Sequence, residues 1–114
     1  MEKRYVVENL AEIEPVPCPC GMTRRALVNT VDGAASYHVV AIKKDAQLHY
    51  HKERFEIYHV LEGTGVMELD GDRIPVGPGS VIFIGAYCRH RAVGQLTVAN
   101  VSVPGFDPRD EWFD

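Results

Sequence analysis

Short runs of β-forming residues separated by turn signals are the feature that most constrains what this chain can fold into. Its 10 glycine and 7 proline residues are spread along the sequence rather than concentrated in a linker. Between them lie runs of about the length of an average strand, several of them rich in valine, isoleucine, tyrosine and phenylalanine. The runs are 26–31, 37–42, 55–61, 66–69, 80–84 and 96–103. Many short strands at close spacing predict an all-β sandwich or small barrel.

Turn residues separate these runs, and little of the chain favours helix. Residues 8–13 could form one helical turn, but the three prolines of segment 15–20 prevent its extension, so that segment should be extended. The predicted turns are 31–34, 62–65, 70–72 and 77–79, the third with an Asp-Gly pair typical of a tight hairpin. Residues 104–114 look irregular. The aromatic residues of this tail, available to pack on the outside of the barrel or on a partner, are Phe106, Trp112 and Phe113.

Composition and charge limit the classes of function. Lys and Arg total 12 and Asp and Glu total 16, which gives a formal net charge of −4. A mildly acidic chain does not favour nucleic-acid binding, which needs a basic face. No apolar run approaches the roughly 20 residues that span a bilayer, residues 1–5 do not lead into a signal-peptide core, and three cysteines do not form a paired disulfide framework. We therefore expect a cytosolic protein with neither nucleic-acid nor membrane partners.

The placement of the histidines points to a metal site. His49 and His51 occupy alternate positions, whose side chains project from one face of a strand. Glu56 follows five residues later at the head of a predicted strand, and His90 comes far downstream. Taken singly, such histidines are usually solvated or hydrogen-bonded. Together, three imidazoles and one carboxylate form a donor set that suits a divalent transition metal ion.

The same residues resemble the two sequence motifs of the cupin superfamily. His49-x-His51-x4-Glu56-x6-Gly63 is similar to the first motif and Gly79-x5-Gly85-x-Tyr87-x2-His90 to the second, with a spacer (64–78) of the length typical of small cupins. The resemblance covers roughly 36–103. It implies a single cupin domain, 1–114, folded as a double-stranded β-helix or jelly-roll barrel. An extended segment (1–25) would precede the barrel core and the irregular tail would follow it.

The resemblance also implies that the metal ligands are His49, His51, Glu56 and His90, inside the barrel near one mouth. The chain departs from the family pattern only at turn positions, and these are Lys43, Gly85, Tyr87 and Gly94. Structural zinc sites are usually dominated by cysteine thiolates, which this set lacks. The set leaves positions on the ion open for water, substrate or dioxygen. Iron(II) is the favoured metal, followed by manganese, zinc or nickel.

Other side chains could add to such a site. By strand alternation Tyr58 shares a face with Glu56, so its phenol either donates a proton and orients a substrate or fills the barrel wall. His59 should face away from the ligands, and we interpret both it and His38 as structural or surface groups. Cys88, close to the second motif, is interpreted as a packing residue.

Two cysteines and two arginines in the N-terminal part match no motif. Cys18 and Cys20 form a Cys-x-Cys pair, which lacks the spacing of redox or zinc motifs. Arg24 and Arg25 could grip an anionic substrate if the N-terminal segment caps the barrel mouth. Otherwise they belong to a solvated loop.

These observations leave different classes of function open. The first is a metal-dependent enzyme acting on a small polar metabolite, of the dioxygenase, sugar isomerase or epimerase, or lyase type. The second is a non-catalytic cupin that binds or senses a small molecule. A purely structural cupin is disfavoured because all four ligand positions are intact. Since related cupins commonly pair and the tail offers apolar surface, we also expect a homodimer.

Overall fold

A computed structural model of the chain describes residues 4–18 and 21–114, so Cys20 of the predicted Cys-x-Cys pair lies outside the described residues. Short 3₁₀ helices occupy Leu10–Glu12 and Pro108–Asp110, and none of the helices within the described ranges has the length and apolar character to cross a bilayer. The strands are β1 (Val16–Cys18), β2 (Gly21–Ala26), β3 (Ser36–Ile42), β4 (Phe55–Leu69), β5 (Asp72–Val76), β6 (Val81–Ile84) and β7 (His90–Val103). This architecture confirms the predicted all-β fold with little helix.

All strand pairs are antiparallel. The sheet runs in the order β1-β2-β3-β7-β4-β5, and β6 pairs with the first half of β4. The two long strands β4 and β7 pair along almost their whole length and form the centre of the sheet. Because β7 is flanked by β3 and β4, residues far apart in sequence are brought to neighbouring positions on one concave face.

The apolar core lies where the inward faces of the strands meet. Its buried members are Ile42, Val60, Met67, Val76, Ile84, Ala92, Leu96 and Val98. Burying an aliphatic side chain of this size contributes about 1.5–3 kcal/mol, so the cluster makes a large contribution to the stability of the barrel. Three of its members, Ile42, Ala92 and Val98, also line the cavity described below, so the core forms part of the cavity wall.

The strand predicted over 26–31 is wrong. Strand β2 ends at Ala26, and the following residues Leu27, Asn29 and Asp32 have φ angles of 65°, 61° and 55°, in the left-handed region that a strand cannot accommodate. The strand was predicted because the segment contains leucine and two valines, which are common in strands. The actual strand, Gly21–Ala26, is rich in polar residues and gave no apolar alternation.

The hairpin predicted at 62–65 is also wrong. Strand β4 runs straight through this segment, with only a shift in its register against β7 between Val60 and Glu62. At Gly63, with φ of 84°, an added Cβ would lie 2.3 Å from the Gln95 carbonyl oxygen, so glycine here permits a close approach of two strands. The predicted turn at 70–72 is confirmed, since Asp70 and Gly71 have φ of 48° and 90° and lead directly into β5.

Candidate metal centre and cavity

Three imidazoles meet at one point near the start of β7. His49 and His51 come from the segment that precedes β4, and His90 is the first residue of β7. One ring nitrogen of each lies within 4.8 Å of those of the other two. The backbones of His49 and His90 exchange a pair of hydrogen bonds of 3.2 and 2.8 Å. Residues 41 positions apart are therefore held side by side by main-chain bonding.

The Nδ1 atom of each imidazole is bonded to a main-chain carbonyl. The acceptors are Gln47 O for His49 at 2.8 Å, Asp110 O for His51 at 2.6 Å and Cys88 O for His90 at 2.8 Å. A carbonyl oxygen can only accept, so each Nδ1 carries a proton and donates it. In the neutral ring this leaves a lone pair on Nε2, which is the form in which an imidazole binds a metal.

Glu56 brings a carboxylate to the same point. Its Oε1 atom lies 2.9 Å from Nε2 of His51 and 3.3 Å from Nε2 of His90. Its Oε2 atom accepts a hydrogen bond of 2.7 Å from the side-chain amide of Asn100, which fixes the orientation of the carboxylate. Burial acts to raise the pKa of Glu56, but the neighbouring imidazoles of His51 and His90 outweigh it and hold that pKa below its ordinary value. The carboxylate is therefore ionised.

The converging atoms fit a divalent cation. Oε1 of Glu56 and Nε2 of His51 and His90 are buried, and none makes an aligned hydrogen bond with any residue in 4–18 or 21–114. An unsatisfied buried polar atom costs about 1–3 kcal/mol. A cation at the point of convergence would satisfy all three atoms and offset the repulsion between the carboxylate and the imidazole lone pairs. Imidazole and carboxylate are the donors that divalent transition metals accept.

Protons compete with a cation unequally across the cluster. The pKa of His49 is lowered by burial and by the nearby His90. Burial acts in the same direction on His51, but the adjacent Glu56 carboxylate raises the pKa of His51 above its ordinary value. A proton on His51 is therefore the main competitor of a metal ion, and metal affinity should fall as pH falls.

The cluster opens into a cavity of about 230 Å³. One row of residues on four neighbouring strands lines it: Arg25 of β2 faces His38 of β3, His38 faces Asn100 of β7, and Asn100 faces Tyr58 of β4. The Tyr58 ring lies edge-on to His90, with ring centroids 6.3 Å apart. Tyr58 thus faces the cavity beside the imidazoles, as strand alternation predicts. The volume, below the roughly 300–1,000 Å³ of many ligand pockets, suits a small metabolite.

The other residues singled out in the sequence take different positions. His59 is exposed and faces away from the cluster, as predicted, and Cys88 packs against the core. His38 is buried in the cavity wall. Phe106, which was expected on the outside or at a partner, is half-buried and also lines the cavity. Cys18 also lines the cavity.

Sequence reasoning missed two residues that hold the cluster in place. Asn100 orients Glu56, and the main chain of Asp110 orients His51. Asn100 left a signal, because it is a polar residue at an inward position of the alternating run that contains Leu96 and Val98. Asp110 left none, since its contact depends on how the C-terminal tail returns to the barrel mouth.

Comparison with known proteins identifies the family of the chain. Residues 36–98, more than half of the chain, match the family model of the cupin domain. The chain belongs to the cupin family. The crystal structure of a protein from Planctomyces limnophilus is 41% identical, with a TM-score of 0.87 and 96% of both chains covered. The jelly-roll barrel expected from the motifs is confirmed.

More distant structures share the cupin fold. The nucleoside dehydratase Pac13, from Streptomyces, is 20% identical with a TM-score of 0.79, over 95% of this chain and 89% of that one. Ectoine synthase from P. lautus is 21% identical with a TM-score of 0.75, over 90% and 80%. A curated protein of Methanocaldococcus jannaschii, described as uncharacterized, is 36% identical over 53 residues. That match spans 46% of this cupin and only 42% of its relative.

Proposed function

We propose that this cupin is a metal-dependent enzyme that acts on a small polar metabolite bound in the barrel cavity. The observation that carries the proposal is the convergence of buried, unsatisfied donor atoms beside that cavity. The ligands of the metal would be His49, His51, Glu56 and His90. When bound, the metal would supply Lewis-acid polarisation of a substrate oxygen. The candidates, in order, are iron(II), manganese, zinc and nickel.

The remaining cavity residues provide groups that handle protons and exclude water. Tyr58 stands beside His90 with its phenol in the cavity wall, where it can donate a proton to a substrate oxygen or orient it. Asn100 keeps the Glu56 carboxylate in place. Phe113, with its ring 6.3 Å from that of His49, limits access of water from the mouth.

Of the reaction types open to this fold, we favour a lyase or isomerase reaction over a dioxygenase reaction. A reaction that moves protons without redox change needs an acid or base beside the substrate, and Tyr58 occupies that place. Pac13, a nucleoside dehydratase, is a cupin-fold protein of similar size, so chemistry of this type is compatible with the barrel.

Substrate screening with and without oxygen tests this function. The protein, purified without chelators, would be incubated with pools of hydroxy acids, sugars and nucleosides, while products are followed by mass spectrometry and oxygen by an electrode. We expect an anaerobic product that is an isomer of the substrate or lacks a small molecule such as water, and its loss in His51→Ala. A product formed only with oxygen uptake contradicts the lyase or isomerase assignment. Binding without any product contradicts enzyme function and favours a sensing cupin.

Homodimer formation and a cytosolic location belong to the same proposal. Exposed apolar side chains support a dimer: Val81 and Phe83 on the outer strand β6 are each 66% exposed, and Phe113 of the tail is 47% exposed. Light scattering coupled to gel filtration should give twice the chain mass. A monomer at working concentration contradicts the dimer.

A further inference from the structure

Arg25 is fixed in the cavity wall by an aromatic platform. Its guanidinium carbon lies 4.2 Å from the centroid of the Phe106 ring. The backbone N–H of Phe106 donates a hydrogen bond of 2.8 Å to Oγ of Ser36, which shares another of 2.8 Å with Nε2 of His38. The His38 ring also meets the Phe106 ring edge-on. This arrangement holds the guanidinium plane against one face and leaves its edge available to the cavity.

Arg25 differs from the other arginines of the cavity in having no carboxylate partner among the residues that the structure describes. Arg54 is paired with Asp110 at 2.8 Å, and Arg91 is paired with Glu68. The Nε atom of Arg25 is buried, and within the described part of the chain it has no hydrogen-bond acceptor. An anion would therefore stabilise the Arg25 guanidinium, because a guanidinium forms two parallel hydrogen bonds with a carboxylate or phosphate.

The groups around Arg25 leave its guanidinium able to bind an anion. The carboxylates that line the cavity are engaged elsewhere: Glu56 with the imidazole cluster, Asp107 with Arg109 at 2.9 Å, and Glu111 facing His49 at 3.8 Å. Thr23 lies on the same face of β2, and its buried hydroxyl has no hydrogen-bond partner within 4–18 and 21–114. This hydroxyl offers a second polar contact beside the guanidinium.

His38 does not add a competing charge to this end of the cavity. Burial and the nearby Arg25 lower the pKa of His38 to about 4, while the Glu56 carboxylate acts weakly in the opposite direction. The imidazole is therefore neutral near pH 7, and the guanidinium is the cationic group of this end of the row.

We infer that Arg25 is the anion-binding residue of the cavity and that the substrate is a small metabolite carrying a carboxylate or phosphate group. This inference rests on the proposed function, because it names the substrate class of the same cavity. Arg25 and Tyr58 stand three strands apart in one row, at most roughly 14 Å between Cα atoms at the usual strand spacing. Both side chains extend into the cavity, so a short metabolite can bind Arg25 at one end and face the imidazole cluster with the other.

Calorimetric titration of the full chain tests the inference, with succinate, inorganic phosphate and the neutral succinamide as probes. The variants are Arg25→Gln and, as a matched control, Arg24→Gln. The side chain of Arg24 points to the other face of β2 and donates to the Leu10 carbonyl at 3.2 Å. Titrations are run on protein as purified and after chelator treatment. Binding by Arg25 does not require a metal, so a failure here is distinguishable from a failure of the metal-dependent function.

We expect the anions to bind both preparations and succinamide to bind neither. Arg25→Gln should weaken anion binding about ten- to hundred-fold, and Arg24→Gln should leave it unchanged. Tighter binding of succinate than phosphate assigns a carboxylate substrate, and the reverse order assigns a phosphate. Equal anion affinity in wild type and Arg25→Gln, or binding that disappears with the metal, overturns the inference.

A second measurement covers the case in which Arg25→Gln does not fold. Phenylglyoxal labels accessible arginines in the wild-type protein, and mass spectrometry identifies the labelled positions. Succinate or phosphate should protect Arg25 at least several-fold, whereas Arg24 should be labelled equally with and without the anion. Labelling of Arg25 that is unaffected by saturating anion contradicts its role.

Discussion

The imidazole of His51 donates a hydrogen bond of 2.6 Å from Nδ1 to the main-chain oxygen of Asp110, 59 residues further along the chain. The Asp110 carboxylate in turn accepts hydrogen bonds from the backbone N–H groups of Lys52 and Glu53 and from the side chain of Arg54, all close to 2.9 Å. One residue of the C-terminal tail thus fixes both a candidate metal ligand and the loop that follows it. Removing the hydrogen-bond partner of a metal-binding histidine commonly lowers metal affinity.

Replacing this tail residue should weaken the metal site as well as the fold. Asp110→Ala leaves the buried Arg54 guanidinium without its carboxylate, which should cost about 3–5 kcal/mol of unfolding free energy. Metal affinity should fall about 10- to 100-fold. Urea unfolding and zinc titration measure the two effects. Asp114→Ala, which removes only the exposed pair with Arg89, is the control and should change neither. Wild-type metal affinity in Asp110→Ala would show that the tail does not position His51.

The phenol of Tyr58 should affect turnover but not metal content. Tyr58→Phe keeps the ring against His90 and removes the hydroxyl, so kcat should fall about 10²- to 10⁴-fold if the phenol transfers a proton. Steady-state kinetics on the substrate found by screening, together with elemental analysis, separates the two effects. Tyr37→Phe is the control because Tyr37 precedes His38 on β3 and points to the opposite face. An unchanged kcat in Tyr58→Phe assigns the ring to packing alone.

Burial of neutral His38 should make the metal-free protein less stable as pH falls. The pKa of His38 is about 4 in the folded chain and 6.5 as its ordinary value, so between these values the unfolded chain takes up a proton that the folded chain does not. The loss begins near pH 7, is complete below pH 4 and amounts to about 3 kcal/mol at most.

Unfolding of chelated protein in urea at several pH values measures this loss. His38→Gln should flatten the dependence between pH 7 and 4, while the exposed His59→Gln should leave it as in wild type. The variant comparison isolates His38 from Glu56 and Asp110, whose lowered pKa values also remove stability in acid, and from His51, whose raised pKa acts in the opposite sense. Parallel curves for wild type and His38→Gln contradict the assignment.

The candidate ligand set was accessible to sequence analysis because its signals are local. His49, His51 and Glu56 lie within eight residues, and His90 sits in a recognisable second motif. The row from Arg25 to Tyr58 was not predictable, because it depends on the order in which β2, β3, β7 and β4 lie side by side. Sequence gives the alternation of each strand but not the partner that faces it across the sheet.

The predicted strand boundaries were wrong at residues whose type is compatible with more than one backbone conformation. Leu27 resembled a strand residue but adopts a positive φ, and Gly63 resembled a turn but lies within a 15-residue strand. At Gly71 the same residue type does form the predicted turn. Gly63 and Gly71 differ because a neighbouring strand lies close to Gly63 and not to Gly71, and the composition of the chain does not reveal this.

These two glycines should respond differently to alanine. In Gly63→Ala the new Cβ would meet the Gln95 carbonyl oxygen at 2.3 Å in addition to an unfavourable φ, whereas around Gly71 nothing described lies within 4 Å. Gly71→Ala should therefore cost only the backbone term of about 1–2 kcal/mol, and Gly63→Ala clearly more. Urea unfolding of both variants gives the comparison. Equal losses would show that β4 and β7 can separate locally at no cost.

Elemental analysis of protein purified without chelators tests the central claim most directly. Wild type and the control His59→Ala should each hold about one equivalent of a divalent transition metal per chain, because one such cluster is found among residues 4–18 and 21–114. His51→Ala and Glu56→Gln should each lose most of it while remaining folded. Metal content unchanged in both variants, or no metal in wild type even after supply of iron(II), manganese, zinc and nickel, would contradict the account.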